Sequence, residues 1–217
     1  NWFKKVYTKF GHEKRKYIFL SMARFIRANR PINEGYYFEF GSCEANTMRI
    51  AWDSFRYLQD FTYVAFDSFQ GFPEVPDIDK QEIFEKGKAS MSEQDFIRTV
   101  AMHGMNMKKL ITVKGFYEKS LTKEQKQRLL PKKATVIYID CDLYTSTVPV
   151  LNFIKDFLQK GTIIVFDDWH CYLGDPEKGE KRAFKEFREQ NPELIFEEFL
   201  QTGEQKAFIY LGEKTNP

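Results

Sequence analysis

The chain has 217 residues, of which 33 are Lys or Arg and 31 are Asp or Glu, and its formal net charge is +2. This balance gives no reason to expect a nucleic-acid partner or a membrane surface, and 42% hydrophobic residues exclude a disordered chain. Three cysteines without CxxC spacing exclude a disulfide framework, and no apolar run reaches the ~18 residues of a membrane span. We therefore expect a cytoplasmic protein without a membrane-spanning segment.

Apolar runs of strand length alternate with amphipathic segments at helical spacing, and Gly and Pro mark the breaks between them. In chain order the predicted elements are a helix at 13–29, a strand at 36–40, a helix at 43–58, a strand at 61–66, helices around 79–87 and 92–103, a strand at 110–115, a helix at 117–129, a strand at 134–140, a helix at 145–160, a strand at 161–167, a helix at 177–190, and strands at 194–200 and 206–212.

The alternation of continuous apolar strands with helices is typical of a parallel sheet covered on both faces. The last two strands follow each other with no helix between them, which indicates an antiparallel hairpin at one edge. We therefore predict an α/β fold: a Rossmann-like, seven-stranded, mostly parallel sheet with helices on both faces and a C-terminal antiparallel hairpin.

The first two predicted strands end in residues that suit a nucleoside. Gly41 allows a tight turn and a close approach of a ligand to the backbone, and Asp67 can accept hydrogen bonds from both ribose hydroxyls. A plain strand-to-helix turn at Gly41 and a turn cap at Asp67 are the structural alternatives. The pair at this spacing favours the nucleoside interpretation.

Four carboxylates follow the next two parallel strands: Asp140 and Asp142 in "YIDCDLY", and Asp167 and Asp168 in "VFDDWHC". The carboxyl ends of neighbouring strands meet in one crevice, where like charges repel unless a cation neutralises them. Carboxylate oxygens are the preferred ligands of Mg²⁺ and Ca²⁺. We predict a metal site at Asp140, Asp167 and Asp168; the alternative is that Asp168 caps a helix and Asp142 is merely exposed.

Five motifs come in register: the Glu-x-Gly turn at Glu39, "FDSFQGFPE", "KGFYEKSL", "IDCDLYTST" and "VFDDW". In these motifs the chain resembles the macrocin O-methyltransferase type of class I S-adenosylmethionine-dependent methyltransferases, over about residues 35–190. The sequence has no repeats and no low-complexity linker, so we expect one methyltransferase domain over 1–217, with an N-terminal helical region at 1–34 and a catalytic core at 35–217. The resemblance implies an O-methyltransferase that uses S-adenosylmethionine and Mg²⁺ or another divalent cation on a hydroxyl of a sugar, glycan or related small molecule.

The resemblance assigns roles to matching positions. Glu39, Gly41 and Ser42 would hold the methionine part of the cofactor, and Asp67 with the adjacent Ser68 would hold the ribose. Gly115 and Phe116 would border the adenine, and Asp140 would lie between the cofactor and the metal ligands Asp167 and Asp168.

Two positions depart from the family pattern. Ala45 stands where glycine is common, and this tightens the space beside the methionine tail. No lysine lies near Leu143 or Tyr144, where the similar catechol O-methyltransferases carry their base. We therefore take His170, beside the acidic pair, as the candidate base, although a lone histidine is more often structural.

Two other functions stay open at this point. "DCDLY" nearly matches the nucleophile motif of haloacid-dehalogenase-like phosphatases and phosphotransferases, but Tyr144 replaces the expected Thr or Val, and that motif normally follows the first strand. A non-catalytic nucleoside-binding module is the other alternative, although such a module needs no cation site. The residues name neither the acceptor nor the oligomeric state, and a homo-oligomer is left open.

Overall fold

The computed structural model describes residues 2–29 and 34–214. Seven strands form one sheet in the order β3-β2-β1-β4-β5-β7-β6. The strands are β1 Glu34–Phe40, β2 Asp60–Asp67, β3 Leu110–Lys114, β4 Ala134–Ile139, β5 Ile163–Phe166, β6 Leu194–Thr202 and β7 Gln205–Glu213. The first five strands are mutually parallel, and β7 is antiparallel to both β5 and β6. The predicted mostly parallel sheet with a C-terminal antiparallel hairpin is therefore confirmed.

Across residues 2–29 and 34–214, seven α-helices connect and cover the strands. They are α1 Trp2–Asn29, α2 Asn46–Phe55, α3 Glu93–Met102, α4 Tyr117–Ser120, α5 Lys123–Leu129, α6 Tyr144–Ile154 and α7 Gly179–Gln190. Short 3₁₀ turns occupy Asp77–Asp79, Met107–Lys109, Lys155–Phe157 and Tyr172–Gly174.

Helices cover both faces of the sheet because successive strand residues point to opposite sides. On one face Tyr37 and Tyr138 pack with the helices α1, α2 and α3, and Phe19 of α1 stacks on Tyr138 with ring centroids 5.2 Å apart. On the other face Phe38 and Phe40 pack with α6 and α7. Both faces of the sheet are therefore core, which explains why its central strands are apolar without alternation.

The helix predicted around 79–87 is wrong. The segment has only the 3₁₀ turn at Asp77–Asp79, followed by isolated turns. Phe84 is buried against Phe72 and Tyr172 of neighbouring loops, whereas Ile83 is exposed, so the apolar residues here do not form one helical face. Asp79 is also used elsewhere, since its carboxylate accepts hydrogen bonds from Tyr144 N and Thr145 N at the start of α6.

Helix α1 is longer than predicted, since it begins at Trp2 rather than at residue 13. Its C-terminal half places Ile18, Phe19 and Met22 in the core. We continue to propose a single domain over the chain, supported by the one sheet and by the packing of α1 into its core. Within the described residues, no helix combines the length and the hydropathy that crossing a membrane requires.

Candidate active site

A cavity of about 240 Å³ lies at the carboxyl ends of the parallel strands. It sits where the strand order reverses, between β1 and β4, which is the usual ligand position in open α/β sheets. Six residues predicted from the sequence line it: Gly41, Asp67, Ser68, Gly115, Phe116 and Asp140. Phe72, Pro73 and Ala89 of the segment after β2 also line it. Glu39, Ser42, Asp167, Asp168 and His170 are not among its lining residues.

The turn after β1 requires glycine at its first position. Gly41 has φ of +85°, and a Cβ there would lie 1.9 Å from the carbonyl oxygen of Asp140. Ala45 also adopts the left-handed conformation, with φ of 60°. Alanine pays a steric penalty in this conformation, which glycine adopts without one.

Two buried polar atoms beside this turn, Glu39 Oε1 and Ser42 Oγ, have no hydrogen bond of standard geometry to the described residues. The other carboxylate oxygen of Glu39 accepts a hydrogen bond of 2.5 Å from Tyr37 Oη. Burial raises the pKa of Glu39 to about 8, against the opposing effect of the nearby hydroxyl groups of Tyr37, Ser42 and Thr47. Unpaired buried polar atoms are uncommon, and at a strand end they suit a polar ligand.

Asp67 joins the turn after β1 to the turn after β2. Its Oδ2 accepts hydrogen bonds from Ser42 N at 2.7 Å and from Cys43 N at 3.1 Å, and its Oδ1 accepts one from Phe69 N at 2.6 Å. The turn-capping role is therefore present in the structure. Because Asp67 also lines the cavity, the ribose contact stays a prediction that the geometry permits.

Hydrogen bonds between strands continue beyond β4 and β5 and place the acids side by side. Asp140 N donates to Phe40 O at 2.8 Å, and Asp167 N donates to Ile139 O at 2.9 Å. One carboxylate oxygen each from Asp140, Asp167 and Asp168 lie within 4.8 Å of one another. The predicted convergence of these three side chains is thus present.

The three acids are electrostatically unfavourable by themselves. Burial, together with the charges of Asp167 and Asp168, raises the pKa of Asp140 well above its usual value. Burial, with the charges of Asp142 and Asp167, does the same to the pKa of Asp168. The Oδ1 atom of Asp168 accepts a hydrogen bond of 3.2 Å from Cys171 Sγ, and its Oδ2 atom is buried without a hydrogen bond of standard geometry to the described residues. Neither oxygen therefore caps a helix N–H group. A divalent cation would offset both the repulsion and the unpaired oxygen.

A family model described as macrocin-O-methyltransferase (TylF) matches residues 47–197. The chain belongs to this family. It is an S-adenosylmethionine-dependent O-methyltransferase with the fold of other O-methyltransferases. Membership removes both the phosphotransferase and the non-catalytic alternatives.

Solved O-methyltransferases share the fold of this methyltransferase. The O-methyltransferase NovP has a TM-score of 0.71 and 18% identity, with 91% of this chain and 80% of that chain covered. The calicheamicin methyltransferase CalS11 has a TM-score of 0.70 and 21% identity, with 91% and 79% covered, and is also described as a TDP-rhamnose 3'-O-methyltransferase. TomG from Streptomyces achromogenes, solved with SAM, has a TM-score of 0.58 and 10% identity, with 89% and 79% covered. A search of curated proteins found no significant match.

The sequence indicated no role for Asp142, which lines the cavity of the methyltransferase. Its backbone is left-handed, with φ of 59°, and burial together with the charges of Asp140 and Asp167 raises its pKa to about 8. One carboxylate oxygen of Asp142 lies within 4.8 Å of ligand atoms of Asp168 and Cys171. The Asp-x-Asp spacing at the strand end was the sequence signal for this residue.

The imidazole of His170 contacts residues outside the cavity. Its Nε2 lies 2.8 Å from Gln201 Nε2, and its Nδ1 lies 3.4 Å from Lys181 Nζ. Burial and the neighbouring Lys181 and Lys206 lower its pKa, which keeps the ring neutral near pH 7. Its role as the base stays a prediction.

Sequence reasoning also missed Glu180, a fully buried residue on α7. Its Oε1 accepts a hydrogen bond of 3.3 Å from Cys141 N, and its Oε2 accepts one of 3.0 Å from Asp168 N. This carboxyl group therefore holds the segment after β4 against the segment after β5. Burial, then the charges of Asp168 and Asp140, raises its pKa well above the usual value.

Proposed function

We propose that this methyltransferase transfers a methyl group from S-adenosylmethionine to a hydroxyl of a sugar, glycan or related small molecule, with a divalent cation, Mg²⁺, held by Asp140, Asp167 and Asp168. The observation that carries this proposal is the convergence of three carboxylates, one with a buried unpaired oxygen, at the edge of a cavity. Family membership supplies the reaction class.

The residues around the cavity fit the cofactor. Glu39 Oε1 and Ser42 Oγ are buried and have no hydrogen bond of standard geometry to the described residues, as expected of groups that would hold the ammonium and carboxylate of a methionine moiety. Asp67, with Ser68 beside it, would hold the ribose, and Gly115 and Phe116 would border the adenine; these four line one continuous cavity. The cofactor supplies the methyl group on a sulfonium centre.

The residues after β4 and β5 fit a hard cation. Mg²⁺ prefers oxygen ligands at ~2.1 Å in an octahedral arrangement, so three carboxylates leave positions for water or for acceptor oxygens. A cation bound there would lower the pKa of an acceptor hydroxyl and orient it. Asp140 belongs to both sites, because it lines the cavity and is one of the three clustered acids.

The proton of the acceptor hydroxyl needs a group that can take it. Asp142 lines the cavity, and we propose it as the base that accepts this proton. His170, the base predicted from the sequence, is the competing proposal; its imidazole contacts Gln201 and Lys181 instead. Substituting each residue separately distinguishes the two.

A sugar acceptor is supported by the family name and by the description of CalS11 as acting on TDP-rhamnose. Phe72 and Pro73 line the cavity and offer an apolar surface on which a sugar or an aromatic ring can lie. A nucleotide-activated sugar is therefore the first acceptor class to test, followed by free sugars and phenols.

The test is transfer of labelled methyl from S-adenosylmethionine to a panel of these acceptors, with and without exhaustive chelation. We expect transfer to a sugar-containing acceptor, its loss after chelation, and its return when Mg²⁺ is added. Full activity after chelation would contradict the proposed role of the cation. Methyl transfer to phenols alone would contradict the proposed sugar acceptor.

Two further expectations stay proposals. The three cysteines are free thiols, which supports the reducing environment of the cytoplasm.

A homo-oligomer is supported by α1, whose Val6, Phe10, Tyr17 and Leu20 are exposed apolar residues at helical spacing. Sedimentation velocity of the chain and of a Phe10→Ser, Leu20→Ser variant tests the oligomer, which would dissociate in the variant.

A further inference from the structure

The N-terminal helix delivers a positive charge to the acid cluster. Arg15 of α1 contacts Asp167, with Nη2 2.7 Å from Oδ2 and Nε 3.4 Å from Oδ1. The two residues are 152 positions apart in the chain. The Asp167 side chain is only 6% exposed, and that of Arg15 is 33% exposed, so water screens the pair incompletely.

Arg15 is not needed to orient Asp167. Tyr138 Oη, from the fully buried side chain of a β4 residue, donates to Asp167 Oδ1. Gln205 Nε2, at the start of β7, donates to the same oxygen. The carboxylate therefore keeps two donors from the sheet itself if the guanidinium is removed. Arg15 then acts on the cluster chiefly through its charge.

We propose that Arg15 is a built-in counter-charge that weakens and thereby tunes cation binding at Asp140, Asp167 and Asp168. This inference rests on the proposed cation site. A permanent positive charge in contact with one ligand opposes a divalent cation at the same ligands, and the low solvent exposure of Asp167 limits the screening of that opposition. Arginine stays protonated at any accessible pH, so the opposition is constant.

Arg15 thereby limits how strongly the site binds a divalent cation, which the acids alone would not do. Without Arg15, the three clustered acids would attract a divalent cation with no opposing charge in contact with Asp167. With Arg15, one ligand is shared between the helix and the cation. Because binding effects are reciprocal, a bound cation also weakens the Arg15–Asp167 contact. The docking of α1 and the loading of the cation site are therefore linked.

The test measures Mn²⁺ binding from the electron paramagnetic resonance signal of the free ion, without acceptor or turnover. The variants are Arg15→Gln, Arg15→Lys and Lys14→Gln. Lys14 is the matched control, because it is the adjacent cation on α1 and pairs with Glu204 rather than with the cluster. Thermal unfolding of each variant checks the fold, and Arg15→Met is a second neutral substitution.

We expect Arg15→Gln and Arg15→Met to bind Mn²⁺ about tenfold more tightly than the unmodified protein, which corresponds to about 1.4 kcal/mol. Arg15→Lys and Lys14→Gln should bind as the unmodified protein does. If the unmodified protein binds Mn²⁺ and both neutral variants bind it equally or more weakly, Arg15 is a positioning residue and the inference is overturned. If no variant binds Mn²⁺, the proposed cation site itself fails.

Discussion

Replacing Glu180 with alanine should destabilise the methyltransferase through two backbone groups. Glu180 is fully buried, and its carboxyl group is the acceptor for Cys141 N and Asp168 N. Truncation leaves both N–H groups without this acceptor, and each unpaired buried group costs about 1–3 kcal/mol. The loss should therefore be about 2–6 kcal/mol, before any relief of repulsion is counted.

Relief of repulsion offsets part of this loss. Burial, then the charges of Asp168 and Asp140, raises the pKa of Glu180 well above its usual value, so lower pH favours the neutral carboxyl group and reduces the repulsion that truncation would relieve. We therefore expect a net loss of about 3 kcal/mol, or roughly 6–12 °C in Tm for a chain of this size. Glu180→Gln keeps one acceptor oxygen and should lose about half as much.

The assay is thermal and urea unfolding at pH 6, followed by circular dichroism. Glu189→Ala is the matched control, since Glu189 is an exposed residue of the same helix and should change the free energy of unfolding by less than about 0.5 kcal/mol. A loss below about 1 kcal/mol for Glu180→Ala would refute the reasoning, because it would mean that the two N–H groups find other partners at no cost.

Four further predictions follow from the same site. Asp168→Ala should abolish methyl transfer while calorimetry shows unchanged affinity for S-adenosylhomocysteine, because Asp168 does not line the cavity; a large loss of affinity would contradict the separation of the two sites. Asp142→Asn should lower kcat by about 10²–10⁴ with little change in KM, whereas a comparable loss only in His170→Ala would identify the histidine as the base. Asp67→Ala should weaken cofactor binding by about 10²–10⁴, since two charge-assisted hydrogen bonds are each worth about 1.5–3 kcal/mol; calorimetry giving equal affinity would rule out the ribose contact. The chelated protein should lose a few kcal/mol of stability as pH rises from about 4 to 8. The reason is that the pKa of Asp142 in the folded protein, about 8, lies above its unfolded value, so the folded state binds the proton more tightly. Urea unfolding that shows stability rising with pH over this range would contradict this prediction.

The strand ends could be predicted from the sequence because strand pairing is a property of the backbone. Each buried parallel strand is a continuous apolar run, so the residue after it falls at one edge of the sheet. That rule alone brought Asp140, Asp167 and Asp168 together, and Gly41 beside Asp140. Gly41 and Ala45 have left-handed backbone conformations in the turn that follows β1, directly after such a strand end.

The partners of the acids could not be predicted in this way. Arg15 reaches Asp167 from the first helix, and Gln205 reaches it from the last strand. Glu180 looked like one more charged residue on an amphipathic helix, although it is fully buried. Such contacts depend on how a helix lies against a sheet, which hydrophobic periodicity does not specify.

The helix wrongly predicted around 79–87 has a related cause. Asp79 and Phe84 read as residues of a local amphipathic segment, but each is used by a distant element. Asp79 caps α6 through Tyr144 N and Thr145 N, and Phe84 packs on Tyr172. Tertiary contacts have here overridden local helical spacing.

The most direct test of the account is a crystal structure with S-adenosylhomocysteine and Mn²⁺, using the anomalous signal of the metal. We predict one Mn²⁺ bonded to carboxylate oxygens of Asp140, Asp167 and Asp168, with the ribose of the nucleoside at Asp67. A structure that holds the nucleoside at Asp67 but has no anomalous peak at the three acids, at saturating Mn²⁺, would contradict the cation-dependent mechanism.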